Sequence, residues 1–451
     1  MKLLLLIESI LQKLLPKKWR LAMSKLRIKI YWFISWCGKP YFYYHQAKYK
    51  KIVAKKGKKE RLKVAFFAFQ DSIWKYDSLY KKLENHPKFD PVIVVIPYVT
   101  YGHESMLAEM NKTTKALANK GYKVIKSYNE NTKKFMSVKK EIDPDLIFFT
   151  TPFRLTSPEY QISNYLDRLT AYVPYGFMTI KMKEDQYNQM FHNLVWRCYY
   201  ETPIHKEMAK NVSHIKAKNV VVTGYPPVDT YLNTSYKPKE VWKNLDTRVK
   251  RIIWAPHHTL KANISMSNYS NFLTYSEFFF ELIEKLNHKI QVAFKPHPIL
   301  KLKLYKHPEW GKERTDKYYL RWATTPNCQL EEGDYDDLFL TSDALIHDSI
   351  SFISEYCLTG KPMLFTVSDN KVTELFNTFG SKAFQLSYMA YNEVDIVQFV
   401  ENVVLNGNDS RKNERLTFVN DILKPPNNQT AVNNIINDLI ENIWQKSNNF
   451  C

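Results

Sequence analysis

A chain of 451 residues exceeds what one hydrophobic core normally organises, so two domains are expected, and 45% hydrophobic residues exclude wholesale disorder. Five Cys without paired spacing exclude a disulfide framework and a zinc knuckle, and point to a reducing compartment. The net charge is +20, but residues 1–63 hold 18 Lys/Arg against 2 Glu, a net of +16, which leaves only +4 on the rest of the chain.

The first segment is therefore a basic arm, assigned to residues 1–62. Leu3 to Ile7 is apolar but too short to span a bilayer, and no small-residue cleavage site follows. Leu11, Leu14, Leu15, Trp19, Leu21, Ile28, Ile30, Trp32, Phe33 and Trp36 interleave with Lys13, Lys17, Lys18, Arg20, Lys25, Arg27 and Lys29. This mixture suits an amphipathic helix lying in an anionic membrane interface, where each cation contributes on the order of 1 kcal/mol. Residues 48–63 read as a basic tether behind it. A solvated tail and a nucleic-acid arm are the other readings; the Leu and Trp content favours the membrane surface, and no nucleic-acid partner is expected.

Apolar runs then alternate with helical patterns. Residues 63–69 read as a buried strand, 72–83 as a helix, 91–96 as a strand, 104–119 as a helix, and 122–125, 144–150 and 219–224 as further strands. Continuous apolar strands of this kind predict a parallel sheet covered on both faces. A polar, Lys-rich stretch over 233–250 has the character of a linker. The pattern restarts with strands at 251–254 and 290–294, a helix at 275–286 between them, a strand at 344–346, a helix at 351–358, a strand at 362–365 and a final helix at 430–444. The expectation is an α/β protein of two Rossmann-like domains facing across a cleft, 63–235 and 236–451.

Three strand ends of the second half carry polar residues: Trp254-Ala255-Pro256-His257-His258-Thr259, Phe294-Lys295-Pro296-His297-Pro298, and Ser342-Asp343-Ala344-Leu345-Ile346-His347-Asp348-Ser349-Ile350-Ser351. Polar residues at the C-terminal ends of strands build ligand sites in open α/β sheets. With only 11 Gly, no G-x-G-x-x-G and no Walker-type loop, a phosphate site here must use hydroxyls, His and helix N-termini.

On these residues the C-terminal half resembles the CDP-glycerol glycerophosphotransferase family of teichoic-acid and capsule biosynthesis, whose architecture is GT-B-like. Ala255-Pro256-His257 is similar to the family's Ala-Pro-Thr-like turn, Lys295-Pro296-His297-Pro298 to its Arg/Lys-x-His-Pro segment, and 342–351 to its Ser-Asp-x-Leu-Ile-x-Asp-x-x-Ser segment. Glu355-Tyr356, Lys361-Pro362 and Thr223-Gly224-Tyr225-Pro226 fall where the family has equivalents, so the resemblance covers roughly 220–440. It implies transfer of glycerol phosphate, or a similar polyol phosphate, from a CDP-linked donor to a cell-surface polysaccharide or teichoic-acid-type acceptor, with CMP leaving. The first domain would hold the acceptor and the second the nucleotide donor, at the cytoplasmic face of a bacterial cell membrane. Where members place His-Gly-Thr, with His as the expected base, this chain has Val173-Pro174-Tyr175-Gly176-Phe177. The base does not carry over.

Candidate catalytic residues are His297, His258 and His257. Neighbouring residues at a strand end point in different directions, which favours His258 over His257 for the cleft. His297 would bond a diphosphate oxygen or protonate departing CMP; the bland alternative is a buried ring fixed between prolines. Candidate donor ligands are Lys295, Asp348, Ser349, Ser351, Glu355 and Thr430. Plain N-capping competes for Asp348, Ser349, Ser351 and Thr430, and a solvated helix charge for Glu355, whose implied GT-B role is donor-ribose binding. Tyr175 and Gly176 are acceptor-side candidates; His192 and His347 read as structural. No metal ligand set or Asp-x-Asp motif is found and no cofactor is assigned, with the divalent-metal requirement open. Two rival functions stand beside this one: a GT-B glycosyltransferase using a nucleotide sugar, and a non-catalytic membrane-bound assembly factor.

Overall fold

The computed structural model describes residues 38–243, 249–260, 269–368 and 370–445. The expected amphipathic stretch before Gly38 lies outside the described residues. No described helix is long and apolar enough to cross a membrane.

Two parallel sheets form the body. The first contains β1 (Leu62–Ala68), β2 (Phe89–Val95), β3 (Val124–Lys126), β6 (Leu146–Phe149), β7 (Leu169–Tyr172), β8 (Arg197–Tyr200) and β9 (Val220–Val222), in the order β3-β2-β1-β6-β7-β8-β9. A small antiparallel pair, β4 (Tyr128–Asn129) and β5 (Lys134–Phe135), lies beside it. The second contains β10 (Lys250–Ala255), β11 (Ile290–Phe294), β12 (Cys328–Leu330), β13 (Ala344–His347), β14 (Met363–Thr366) and β15 (Tyr388–Ala390), in the order β12-β11-β10-β13-β14-β15. Every ladder within the two sheets is parallel. The fold is thus α/β with two Rossmann-like, GT-B-like halves.

The strands form where Val, Ile and Phe run continuously, because both faces are covered. In β1, Val64, Phe66 and Ala68 face one core and Ala65 and Phe67 another. In β10, Ile252 and Trp254 face a core built on Phe272, Phe279, Phe294 and Trp322, whereas Ile253 and Ala255 face the same core as Ala65 and Phe67. One apolar cluster therefore runs from one sheet to the other, with Phe177 stacked on Phe379 at 5.4 Å. Besides the β4–β5 pair, two strands of each main sheet escape the sequence reading. β7, β8, β12 and β15 are three or four residues long and lack long aliphatic runs.

Two segments depart from the domain division drawn by charge and chain order. The presumed tether is mostly a helix, Lys39–Lys56, docked on the first domain. Its buried residues Phe42, His45, Tyr49, Ile52 and Lys56 recur at helical spacing. Gln46 donates to the carbonyls of Asn193 and Val195, and Tyr49 to that of Leu194. Buried Lys56 pairs with Asp145 at 2.5 Å, joined by Lys59 at 2.7 Å. Burial alone would raise the Asp145 pKa, but these cations and the Lys63 N–H hold it below the ordinary value. The charge of this segment had masked its amphipathic face. At the other end, the Ala431–Ile440 helix leaves the second half and packs Val432, Ile435, Ile436 and Leu439 into the first domain's core. Asp438 bonds Arg197 and Tyr199 there. The segment 236–451 is thus a unit of chain order rather than of packing.

Candidate functional site

In the second sheet the chain steps outward from β10 through β11 to β12, then returns past β10 to β13. The strand order reverses between β10 and β13, and that switch point is where open α/β sheets hold ligands. The registers Trp254↔Phe294 and Ala255↔His347 set the three polar ends side by side. Residues 257 and 297 each stand three positions beyond the paired Trp254 and Phe294, so their rings meet.

His257, His258 and His297 form one cluster. Ring centroids are separated by 4.1 Å for His257 and His258, 4.2 Å for His258 and His297, and 4.8 Å for His257 and His297. Burial and Lys303 push all three away from the charged form, and neighbouring rings add to this for His257 and His297; His258 falls to about 4 and His297 to about 3, so all are neutral near pH 7. His257 is enclosed, stacked on Tyr269 and within 3.3 Å of its hydroxyl and of Thr259 Oγ1. His258 Nδ1 is buried without a partner. His297 Nδ1 accepts the Ile299 N–H at 3.1 Å, which fixes the proton of the neutral ring on Nε2 as a donor. One nitrogen from each ring lies within 4.8 Å of the others, a grouping that suits an imidazole-preferring metal. The donor Nε2–H of His297 and the nearby Lys303 charge suit an anion better.

The remaining strand-end residues divide into those that hold the site and those that face it. Asp348 is buried, and its carboxylate accepts the N–H groups of His257 at 2.5 Å and Asn271 at 2.6 Å. Burial raises its pKa to about 7 against the pull of those N–H groups. It neither caps a helix nor is left free for a phosphate; it clamps the loop that carries the His pair. Lys295 is likewise buried and donates to the Gly333 carbonyl at 2.8 Å, with burial lowering its pKa to about 8. His347 is wholly buried, packed edge-on to Phe365. Ser349 and Ser351 share a 3.3 Å contact at the start of the Phe352–Glu355 helix, and neither hydroxyl caps it.

Thr430 caps the last helix, its hydroxyl accepting from the Asn433 N–H at 3.1 Å. The free N–H groups of Ala431 and Val432 are taken by Asp229 at 2.7 and 3.0 Å, so that helix end is closed by a carboxylate from the first half.

The first domain meets this face through residues 175–181. Tyr175 gives its carbonyl to the Tyr225 hydroxyl at 3.0 Å. Gly176 sits against Glu355, such that a Cβ there would lie 3.7 Å from Glu355 Oε1. The Asn377 N–H bonds the Thr179 carbonyl at 2.9 Å and the Lys181 N–H bonds the Leu375 carbonyl at 2.8 Å. Gly380 is required here, since a Cβ would fall 2.0 Å from the Thr179 oxygen. The turn at Gly224, with φ +87°, also presses on Pro425, where a Cβ would fall 2.7 Å from the ring. His192 is buried with both ring nitrogens unpartnered and stays behind the surface.

Sequence reasoning missed Lys75, Tyr335, Asp336 and Asp229. Each comes from a loop or short helix; Lys75, Tyr335 and Asp336 have no motif around them, and Asp229 follows the Thr223–Pro226 turn without belonging to it. Lys75 follows β1 and donates to Tyr335 Oη at 2.9 Å, and the Tyr335 hydroxyl donates to Glu355. Tyr231 Oη bonds Asp336 at 2.8 Å. Only the meeting of the two halves assembles these groups.

A family model described as CDP-Glycerol:Poly(glycerophosphate) glycerophosphotransferase matches residues 176–438. No curated protein sequence matches the chain. Among solved structures, a variant of the wall teichoic acid polymerase TagF superposes with a TM-score of 0.55 at 12% identity, over 89% of this chain and 93% of its own. The MnaA–UDP co-structure from S. aureus gives 0.54 at 16% identity, over 85% and 98%. UDP-GlcNAc 2-epimerase from Neisseria meningitidis bound to UDP-GlcNAc gives 0.53 at 13%, over 84% and 99%. At these identities the structural likeness establishes the fold alone.

Proposed function

Because the chain belongs to the CDP-Glycerol:Poly(glycerophosphate) glycerophosphotransferase family, we propose that it transfers glycerol phosphate, or a similar polyol phosphate, from a CDP-linked donor to a cell-surface glycan acceptor. The observation that carries this reading is the convergence of His258, His297, Ser349 and Ser351 at the switch point of the second sheet. The donor diphosphate lies over these strand ends. The His297 Nε2–H and the two hydroxyls donate to its oxygens, and Asp348 and Lys295 hold the loops that present them.

An acceptor hydroxyl oxygen attacks the phosphorus that bears the polyol. The new O–P bond forms as the bond to the CMP oxygen breaks, and the hydroxyl proton passes to a base while CMP leaves. Such a centre reacts through a loose transition state, so orientation and charge stabilisation provide most of the acceleration. Neutral His258 suits this task, since a ring that takes up a proton beside the diphosphate becomes its counter-charge, while His297, whose Nδ1 already accepts the Ile299 N–H, stays a donor.

A second reading, transfer of a sugar from a nucleotide sugar, is favoured by one feature: Tyr175-Gly176-Phe177 stands where the family has His-Gly-Thr. Incubating the full chain with CDP-glycerol, other CDP-polyols or UDP-sugars, each with a glycan acceptor, separates the two. CMP release with a CDP-polyol is expected. Turnover of a UDP-sugar with no CDP-polyol reacting overturns the proposal.

The reading also places the protein peripherally on an anionic membrane. The net charge of residues 1–63 supports this, as does the outer face of the Lys39–Lys56 helix, where Tyr41, Tyr44, Lys50, Lys51 and Lys55 are exposed. The full chain should sediment with phosphatidylglycerol vesicles, and less so as salt is raised. Equal recovery with neutral and anionic vesicles overturns that part.

A further inference from the structure

Glu355 stands on the second domain with its carboxylate against Gly176 of the first. The missing Cβ at Gly176 leaves room beside Oε1, while Oε2 is occupied by the Tyr335 hydroxyl. Tyr335 in turn receives Lys75, which reaches over from the loop after β1 with its ammonium 4.5 Å from the ring centre. The three groups form a hydrogen-bonded chain between the two halves, running from a first-domain cation to a second-domain carboxylate. It lies outside the strand-end cluster that holds the donor diphosphate.

Lys75 is the cation that acts on the Glu355 charge. Burial holds the Glu355 pKa above the ordinary carboxylate value and Asp336 adds to that, whereas Lys75 and the Tyr335 hydroxyl pull it down. Tyr225 from the first domain also senses the Glu355 charge. A buried carboxylate with one oxygen fixed by a hydroxyl and the other beside the space that a side chain would fill at Gly176 is an acceptor for a hydroxyl group.

We propose that Lys75 is a positioning residue which reaches across the cleft and, through Tyr335, holds the Glu355 carboxylate ready to bind a substrate hydroxyl over Gly176. The hydroxyl belongs either to the donor or to the acceptor, and the chemistry at the carboxylate is the same. The proposal rests on the transferase reading above and adds to it Lys75 and Tyr335, which no motif marks.

The test uses the full chain with Lys75→Met, Lys75→Arg, Tyr335→Phe and Glu355→Gln. Lys75→Met should lower kcat/KM about tenfold, the worth of a hydrogen bond to a charged group. It should also move the acid limb of the pH–rate profile upward, because Glu355 loses the charge that favours its ionised form. Lys75→Arg should restore the limb, and Glu355→Gln should abolish it. Calorimetry with CDP identifies the source of the hydroxyl. Weaker CDP binding in Lys75→Met and Glu355→Gln assigns it to the donor; unchanged CDP binding with a raised acceptor KM assigns it to the acceptor.

A Lys75→Met profile that superposes on the wild type overturns the proposal. A double-mutant cycle of Lys75→Met and Tyr335→Phe in urea unfolding gives a readout without turnover, in which non-additivity is expected. If the wild type neither binds CDP nor turns over any CDP-polyol, the transferase reading fails. Coupling in that cycle would then still support the linkage, and additivity would remove it.

Discussion

The strand ends of the second sheet and the facing loops of the first domain form opposite walls of one cleft, yet they are built differently. The second wall is made of consecutive residues on adjacent parallel strands, so His257, His258, His297 and Asp348 are brought together by register alone. The first wall is made of residues from two separate loops, Lys75 on one and Tyr175 and Gly176 on the other, and is completed by contacts with Tyr335, Glu355 and Asn377 of the other half. A wall set by one sheet survives as a motif. A wall set by the docking of two halves leaves no such trace.

That contrast can be broken or sharpened experimentally. The largest effect is expected at the clamp of the second wall. Asp348→Ala leaves two buried N–H groups without partners and should cost about 3 kcal/mol of stability in urea unfolding. A loss under 1 kcal/mol would mean that the His-bearing loop does not depend on the sheet. Next, His297→Ala should lower CMP release about a hundredfold, the usual scale for losing one donor to developing charge and equivalent to about 2.7 kcal/mol of barrier. Unchanged turnover would move the chemistry off this wall.

At the seam, Gly380→Ala drives a methyl into the Thr179 carbonyl, and about 2 kcal/mol of destabilisation is expected by thermal unfolding. A neutral result would show that the two walls are not held together by the 175–181 segment. The smallest effect belongs to the first domain's own histidine. His192→Phe removes two unpartnered buried nitrogens and should change stability by less than about 1 kcal/mol at pH 7. Its pH signature is more telling. Burial holds the His192 pKa at about 3, below the value near 6.5 of the unfolded chain. The unfolded state therefore binds the extra proton below pH 6.5, and wild-type stability from this group is present above that pH and lost as pH falls toward 3. The variant should lose less stability than the wild type between pH 7 and pH 5. Parallel pH curves would place His192 in contact with solvent.

Much of the second half was legible. The apolar runs that became β10, β11, β13 and β14 lie within a residue or two of their expected limits. The three polar ends stand out in the sequence, because strands buried on both faces have a composition that announces them. Their roles were not legible. Asp348 and Lys295 have the chemistry of phosphate ligands, but burial turns both inward onto backbone partners.

The basic N-terminal segment misled in the opposite sense. Its charge concealed a helix whose face of Phe42, His45, Tyr49, Ile52 and Lys56 is buried, with one cation neutralised by Asp145. That face was present in the spacing and was outweighed by the charge count.

The chain by itself determined two α/β halves, the identity of the strands that carry polar ends, and the family to which those ends belong. Each depends on local composition and on period-two or period-3.6 patterning, which are properties of neighbouring residues. Only the tertiary structure decided which polar residues face the cleft, that the last helix completes the first domain, and that Lys75, Tyr335 and Glu355 meet. Those outcomes depend on desolvation and on contacts between residues hundreds of positions apart, and no local pattern encodes them.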